Sequence, residues 1–302
     1  MKKLIRYIVL FCLPLLLLLV IVPVDKRQVY EGLSGDCYNH GLWVHDRIFE
    51  QEKNTDIIFL GSSRTINSVD DSLLSTALAP MQVVNFGYCR LGRNLHHHFL
   101  QEILSRKKVR HLILEVRETE DQFSHPIYSY MAPTPSVLAS FGSLNRQWPR
   151  DLWQHFTYKT SLIQQGLYPG KRPPEIEQRT YGFSSYTDSL KPEEVYRLQE
   201  KWANHARSYP GNMAYYFPRT YLEKIAALCE QNDIRLTFLY LPAFGQTSLP
   251  PLDEALYEEL GEIWQAPTSY QENPHHWFDG QHRNQAGAAV FSQWLAEQLR
   301  PD

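Results

Sequence analysis

The chain has 302 residues, a formal net charge of −3, 43% hydrophobic and 21% charged residues. That length and apolar content suit one large domain with a proper core and exclude a mostly disordered chain. The slight negative charge speaks against nucleic acid as a partner, because binding phosphates needs a positive surface.

The N-terminus bears on compartment. Met1-Lys2-Lys3-Leu4-Ile5-Arg6 is basic, and an apolar run from Ile8 to Val24 follows, interrupted only by Pro14 and Pro23. A run of roughly 17 residues is near the lower limit for a bilayer-spanning helix. No small-x-small cleavage site precedes Asp25-Lys26-Arg27, so an uncleaved anchor over residues 1–27 is favoured over a cleaved signal peptide. Cys12 does not suit a lipid-attachment site, because Phe11 precedes it inside the run. The basic tip places the remainder, 28–302, outside the cytoplasm, a bias that Lys26 and Arg27 weaken without reversing. Three of the four cysteines, Cys37, Cys89 and Cys229, fall in the exported part and permit at most one bridge with one thiol left over.

Residues 25–55 read as a stalk. Asp56-Ile57-Ile58-Phe59-Leu60 is an apolar strand running into a turn at Gly61-Ser62-Ser63. Gln82-Val83-Val84-Asn85-Phe86-Gly87 repeats that pattern. Leu95, Phe99, Ile103 and their neighbours Leu100 and Leu104 have helical spacing. Val109 to Val116 is a third strand. Strand, helix, strand, helix, strand predicts an α/β domain with a parallel sheet and right-handed crossovers.

The regular pattern stops near Arg117. Residues 117–216, rich in Tyr, Trp, Pro and Ser, are expected as an insertion capping the site, with a helix around Pro192 to Arg207. The aromatics at 127–130, 148–153 and 214–216 could stack on sugar rings, though packing of the insertion is the favoured role. Core pattern resumes over 217–302. Tyr221, Leu222, Ile225, Ala226 and Cys229 mark a helix, Ile234 to Leu241 a strand, Leu252 to Ile263 another helix, and Phe291, Trp294, Leu295 and Leu299 the last helix. His96-His97-His98 does not suit a metal site, because three consecutive helical positions point in different directions. Glu115-Val116-Arg117-Glu118-Thr119-Glu120 reads as a solvated strand end.

Two segments carry chemistry. Ser63 follows a buried strand, and so falls at the carboxyl edge of the sheet where α/β folds place their sites. Asp279-Gly280-Gln281-His282-Arg283-Asn284 precedes the last helix. It can supply an imidazole base and the carboxylate that orients it, although an Asn284-capped helix beside a surface histidine explains the same residues.

Gly-x-Ser on the first strand with Asp-x-x-His-x-Asn before the last helix resembles the first and last signature blocks of the SGNH/GDSL hydrolase family. The resemblance covers about 56–116 and 232–300. It implies a flavodoxin-like three-layer fold and a triad of Ser63 as nucleophile, His282 as base and Asp279 as its orienting acid. Asn85-Phe86-Gly87 is similar to the second block, which implies an oxyanion hole from the N–H groups of Ser63 and Gly87. The third block, Gly-x-Asn-Asp, is absent, since that place reads Leu114-Glu115-Val116-Arg117-Glu118. Arg64, Arg90 and Arg117 are candidates for the missing donor, and Asn284 for lining the site.

Membrane-anchored relatives with Gly-Ser-Ser in the first block, of the teichoic-acid D-alanylation and alginate-acetylation type, resemble the chain more than secreted lipases do. That likeness implies acyl transfer or ester hydrolysis on an envelope glycan at the bacterial inner membrane, facing the periplasm or exterior. It also implies a membrane-bound O-acyltransferase as partner, and no cofactor or metal. The alternative is a non-catalytic envelope protein that keeps the fold to bind glycan or dock such a partner.

Overall fold

The computed structural model describes residues 3, 6, 7, 10, 21–33, 40–53, 55–167, 180–203, 212–246 and 250–300. Most of the expected anchor, with Cys12 and Cys37, lies outside these residues. Among the described residues no helix is long and apolar enough to cross a membrane.

A five-stranded parallel sheet forms the centre, in the order β2-β1-β3-β4-β5. The strands are β1 (Ile57–Leu60), β2 (Val83–Asn85), β3 (His111–Val116), β4 (Arg235–Tyr240) and β5 (Glu262–Gln265). β1 pairs on one side with β2, Ile57 opposite Val83, and on the other with β3, Ile57 opposite His111. β3 then pairs with β4, and β4 with β5. Every residue of β1, β2 and β3 is buried, as expected of parallel strands covered on both faces.

Successive side chains alternate between two cores. Ile58, Leu60, Val84, Leu112, Leu114, Phe238 and Tyr240 face one, against α5 (Arg93–Leu104) and α10 (Asn212–Gln231). Ile57, Phe59, Val83, Ile113, Leu239 and Trp264 face the other, against α4 (Asp71–Ala77) and α12 (Gln285–Leu299). The period of two within each strand builds the three layers. His96 and His98 of α5 are buried, while His97 makes an edge contact with Tyr221 of α10.

The expected stalk is instead part of the first core. Tyr30 on α1 (Lys26–Glu31), Trp43 and Val44 on α2 (His40–His45), and Ile48 on the π-helical turn Asp46–Glu50 are buried in it. These side chains are too large and apolar to leave in water; Trp43 packs against Phe86 beyond β2, and the Tyr30 hydroxyl donates to Glu102 of α5. A second correction concerns 252–263. The helix there, α11 (Glu254–Leu260), stops before Gly261, and Ile263 belongs to β5.

The insertion contains α6 (Tyr128–Met131), α7 (Thr134–Ala139), α8 (Trp148–Leu167) and α9 (Pro192–Ala203). The anticipated extension of α9 to Arg207 lies outside the described residues. α8 docks beside the N-terminal helices, where Tyr158 donates to the Val29 carbonyl at 2.6 Å. Of the insertion's aromatics, Tyr128 and Tyr215 are buried, whereas Trp153 and Tyr216 are exposed. Cys89 is disulfide-bonded to a partner outside the described residues. Cys229 is a free, buried thiol whose pKa burial pushes up to about 12.

Candidate active site

β1 ends at Leu60, and the chain turns through Gly61 and Ser62 into α3 (Ser63–Ser68). Ser63 is the first residue of that helix, at the carboxyl edge of β1. There the strand order reverses, with β2 on one side and β3 on the other, which is where open α/β sheets hold their ligands. The turn is tight. A Cβ on Gly61 would lie 1.9 Å from Thr65 Oγ1 and 2.5 Å from Glu115 Oε2, so only glycine lets the strand pass that close.

His282 and Asp279 sit on the loop before α12, and the structure brings both to Ser63. Ser63 Oγ lies 2.8 Å from His282 Nε2, and His282 Nδ1 lies 2.8 Å from Asp279 Oδ2. The other Asp279 oxygen accepts from the N–H groups of Gln281 at 2.7 Å and His282 at 2.8 Å. The carboxylate is thereby fixed within its own turn. With Nδ1–H donating to Asp279, Nε2 is left to accept the Ser63 proton. Burial alone would raise the Asp279 carboxyl, but the hydrogen bonds from His282 and Gln281 outweigh it and hold the group below its ordinary value. The His282 side chain is 21% exposed, so the base can be reached from solvent.

The two oxyanion donors expected here differ. The Ser63 N–H has no acceptor among the described residues. The Gly87 N–H, in contrast, donates to Asn85 Oδ1 at 3.0 Å. The second donor is thus engaged by a side chain of its own loop. Asn85 acts as a brace: its amide donates to the Thr65 carbonyl at 2.9 Å and to Val69 at 2.7 Å, tying α3 to β2.

The other proposed lining residues have mixed fates. Arg64 is buried, with Nη1 on Glu118 at 3.0 Å and on the Leu241 carbonyl at 2.6 Å, so it braces the strand ends and does not line the site. Asn284 is buried and caps α12 by accepting from Gly287 N at 3.0 Å. Its amide donates to Asp188 O at 3.1 Å, Ser189 Oγ at 3.1 Å and His275 O at 2.8 Å, so it is a structural tie. Arg90 is exposed on the loop after β2 at φ 68°, an uncommon backbone for a long side chain. Arg117 donates from Nε to Glu115 at 2.6 Å and from Nη2 to Ser62 Oγ, while its Nη1 has no partner among the described residues.

Glu115 itself was missed, and the reading of 115–120 as a solvated strand end is overturned. Glu115 is 1% exposed and lies against the turn that leads from β1 into α3. Its oxygens accept from Ser62 N at 2.7 Å, Ser62 Oγ at 2.7 Å, Thr65 N at 3.2 Å and Thr65 Oγ1 at 2.6 Å. Burial opposes its ionisation, but Arg117 and these donors hold the carboxyl far below its ordinary value. Glu120 is equally buried, paired with Arg93 at 2.7 Å and accepting from Tyr257. In the sequence both glutamates are masked by the charges around them, Arg117, Glu118 and Asp121.

The returning half of the insertion crosses the site. Gly182 N and Phe183 N donate to the buried Asp71 at 2.9 and 3.1 Å, and Ser184 N donates to Ile66 O at 3.2 Å. Tyr186 accepts from Gln285 N at 2.8 Å and stacks on Phe278 at 3.8 Å, and Leu190 N donates to Trp277 O at 2.8 Å. Residues 182–190 therefore strap α3 to the loop that carries Asp279 and His282. A separate hollow of about 450 Å³, lined by Val24, Val29, Met131, Pro135 and Leu162 among others, includes no triad residue.

No family model matches the chain, and no curated protein matches it. Among solved structures it is similar to a protein of Streptococcus pneumonia provisionally described as a platelet activating factor, at 14% identity and a TM-score of 0.32 over 96% of this chain and 99% of that one. At that score the likeness bears on neither fold nor function.

Proposed function

We propose that the chain is a serine-dependent acyl transferase or esterase of the SGNH type, acting on O-acyl groups of a cell-envelope glycan. The observation that carries this reading is the continuous relay from Ser63 Oγ through His282 to Asp279, with both contacts at 2.8 Å. In this mechanism His282 Nε2 takes the hydroxyl proton as Ser63 Oγ attacks an acyl carbonyl carbon. The Ser63 N–H, at the positive end of α3, receives the developing oxyanion. His282 then returns the proton to the departing alkoxide, leaving Ser63 acylated. Water or a sugar hydroxyl, deprotonated by the same imidazole, takes the acyl group and restores Ser63.

The placement of this chemistry outside the cytoplasm, on the N-terminal anchor, belongs to the same proposal. So does its partnership with a membrane-bound O-acyltransferase. The disulfide at Cys89 supports an oxidising compartment. The engaged Gly87 N–H favours the second reading, a non-catalytic protein that binds glycan or docks the acyltransferase.

Labelling of the full chain by a serine-reactive fluorophosphonate, with turnover of a small acetyl ester in parallel, separates the two. Labelling that vanishes in Ser63→Ala and His282→Ala supports the enzyme. A folded wild type that neither labels nor turns over ends it.

A further inference from the structure

We propose that Glu115 is a positioning residue for the nucleophile: its buried carboxylate clamps the Ser62–Thr65 turn to the end of β3, with Arg117 as its counter-charge. This rests on the serine-hydrolase reading and deepens it. Glu115 lies within Leu114–Glu118, the stretch where the family resemblance calls for its third block.

The case begins with how the first turn of α3 is satisfied. A helix start leaves its first N–H groups without intrahelical acceptors. Here Glu115 Oε2 takes Ser62 N at 2.7 Å and Thr65 N at 3.2 Å, and Ser62 Oγ takes Arg64 N at 3.0 Å. Ile66 N reaches the Ser62 carbonyl at 3.1 Å. Among the N–H groups of 62–66, that of Ser63 alone is left open. The clamp satisfies every donor around the nucleophile except the one an oxyanion needs.

The second point is charge. An unpaired carboxylate under the site would oppose an oxyanion one residue away, and burying it unpaired would be costly. Arg117 cancels that charge, with Nε 2.6 Å from Glu115 Oε1 and Nη2 on Ser62 Oγ. The two oxygens of Glu115 therefore fix the turn on one side and the guanidinium on the other. The third point is shape. The missing Cβ of Gly61 leaves room for Glu115 to reach the turn, since a Cβ there would lie 2.7 Å from Glu115 Cβ.

The test uses the full chain in lipid nanodiscs, three single variants and one double variant. Thr65→Val removes one hydrogen bond and keeps the shape; Glu115→Gln and Arg117→Ala remove the charge from either side. Fluorophosphonate labelling rate, kcat and KM for a small acetyl ester, melting temperature, and hydrogen exchange of peptides spanning 57–68 are read together. The clamp predicts slower labelling by about tenfold in Thr65→Val and about a hundredfold in Glu115→Gln, from the usual strength of hydrogen bonds to charged groups. It also predicts lower kcat with KM within about twofold, as for an interaction realised in the transition state, and faster exchange in 57–68. The double variant of Glu115→Gln with Arg117→Ala should lose less than the two single losses combined. Should Glu115→Gln fail to fold, Thr65→Val decides. Labelling within twofold of wild type and unchanged exchange in Thr65→Val would overturn the clamp. A wild type that does not label sinks the serine-hydrolase reading, and the exchange measurement still decides whether Glu115 holds the turn.

Discussion

Ser63 Oγ and His282 Nε2 lie 2.8 Å apart although 219 residues separate them in sequence. Two structural facts close that gap. β1 delivers Ser63 to the carboxyl edge of the sheet, and α12, packed on α3 and α4 in the second core, fixes where the preceding loop must begin. Residues 182–190 then bind both sides together. The site is a product of tertiary assembly, so variants that leave the triad untouched can still open it.

The triad should act as one unit. Ser63→Ala and His282→Ala should each lower turnover of an acetyl ester by about 10⁴-fold or more, and the double variant little further. Asp279→Ala should cost one to two orders of magnitude less, because an orienting carboxylate contributes less than the nucleophile and base. Steady-state kinetics on the three single variants and the Ser63–His282 double variant tests this; additive losses would contradict a shared relay.

Asn284 should matter for stability and much less for chemistry. Its side chain caps α12 and donates to three separate acceptors on the strap and the His275 turn. Losing a cap costs about 1 kcal/mol, and leaving buried carbonyls unpaired costs about as much again. Asn284→Ala should therefore lower the melting temperature by about 5 °C, with a smaller loss of kcat than any triad variant. A melting curve within 1 °C of wild type, where ~5 °C is expected, would contradict the tie.

Much of this was legible in the sequence, and the remainder was hidden for physical reasons. Apolar runs ending at Leu60, Asn85 and Val116 gave three strands, because parallel strands bury both faces. The Asp279–His282 spacing pointed to two members of the hydrogen-bonded relay, because one short turn fixes their geometry. Glu115 was not legible: beside Arg117, Glu118 and Glu120 it looks solvated, and its burial follows only from β3 being central with α3 folded over its end. β5 is four residues long with only Trp264 buried, too short to separate from the tail of α11 by periodicity. Residues 25–55 gave no clear period, yet Tyr30 and Trp43 pack against the core from short helices.

The buried ion pair of Arg93 and Glu120 should be a point of global fragility. Both side chains are fully buried, and Glu120 also accepts from Tyr257 of α11. Glu120→Ala strands the Arg93 charge, an effect that costs about 3–5 kcal/mol when one partner of a buried pair is removed. Denaturant titration should show a lower midpoint with an unchanged m-value. A loss under about 1 kcal/mol, as for exposed pairs, would mean that water reaches Arg93.

Gly182 should be intolerant of any side chain. A Cβ there would lie 1.8 Å from the Asn85 carbonyl oxygen and 2.8 Å from its carbon. Those are backbone atoms of β2 and cannot rotate away, so the strap must lift. Gly182→Ala should speed hydrogen exchange across 182–190 and reduce labelling of Ser63, while the exchange of β3 and β4 stays slow. Equal protection of the strap in both proteins would contradict the close approach.

The fold should also lose stability as pH rises through about 6, and Asp71 is the reason. Asp71 is buried, and its carboxyl is raised from 3.8 to about 6, by burial chiefly, against hydrogen bonds from Gly182, Asn85 and Phe183 N–H groups that pull the other way. A carboxyl raised in the folded state binds its proton more tightly there than in the unfolded chain. Its contribution to stability is therefore fully present below about pH 4 and is lost as pH rises to about 6 and beyond. The total is on the order of 3 kcal/mol. Glu115 and Glu118 act in the opposite sense, since their carboxyls are held low and their contribution is lost as pH falls. The comparison must be a difference: stability of wild type minus that of Asp71→Asn, measured by denaturant between pH 4 and 8. That difference should fall across the window from about 4 to 6 and level off above it. A difference that rises over the same window would mean that the three N–H donors outweigh burial and keep Asp71 ionised beneath the strap.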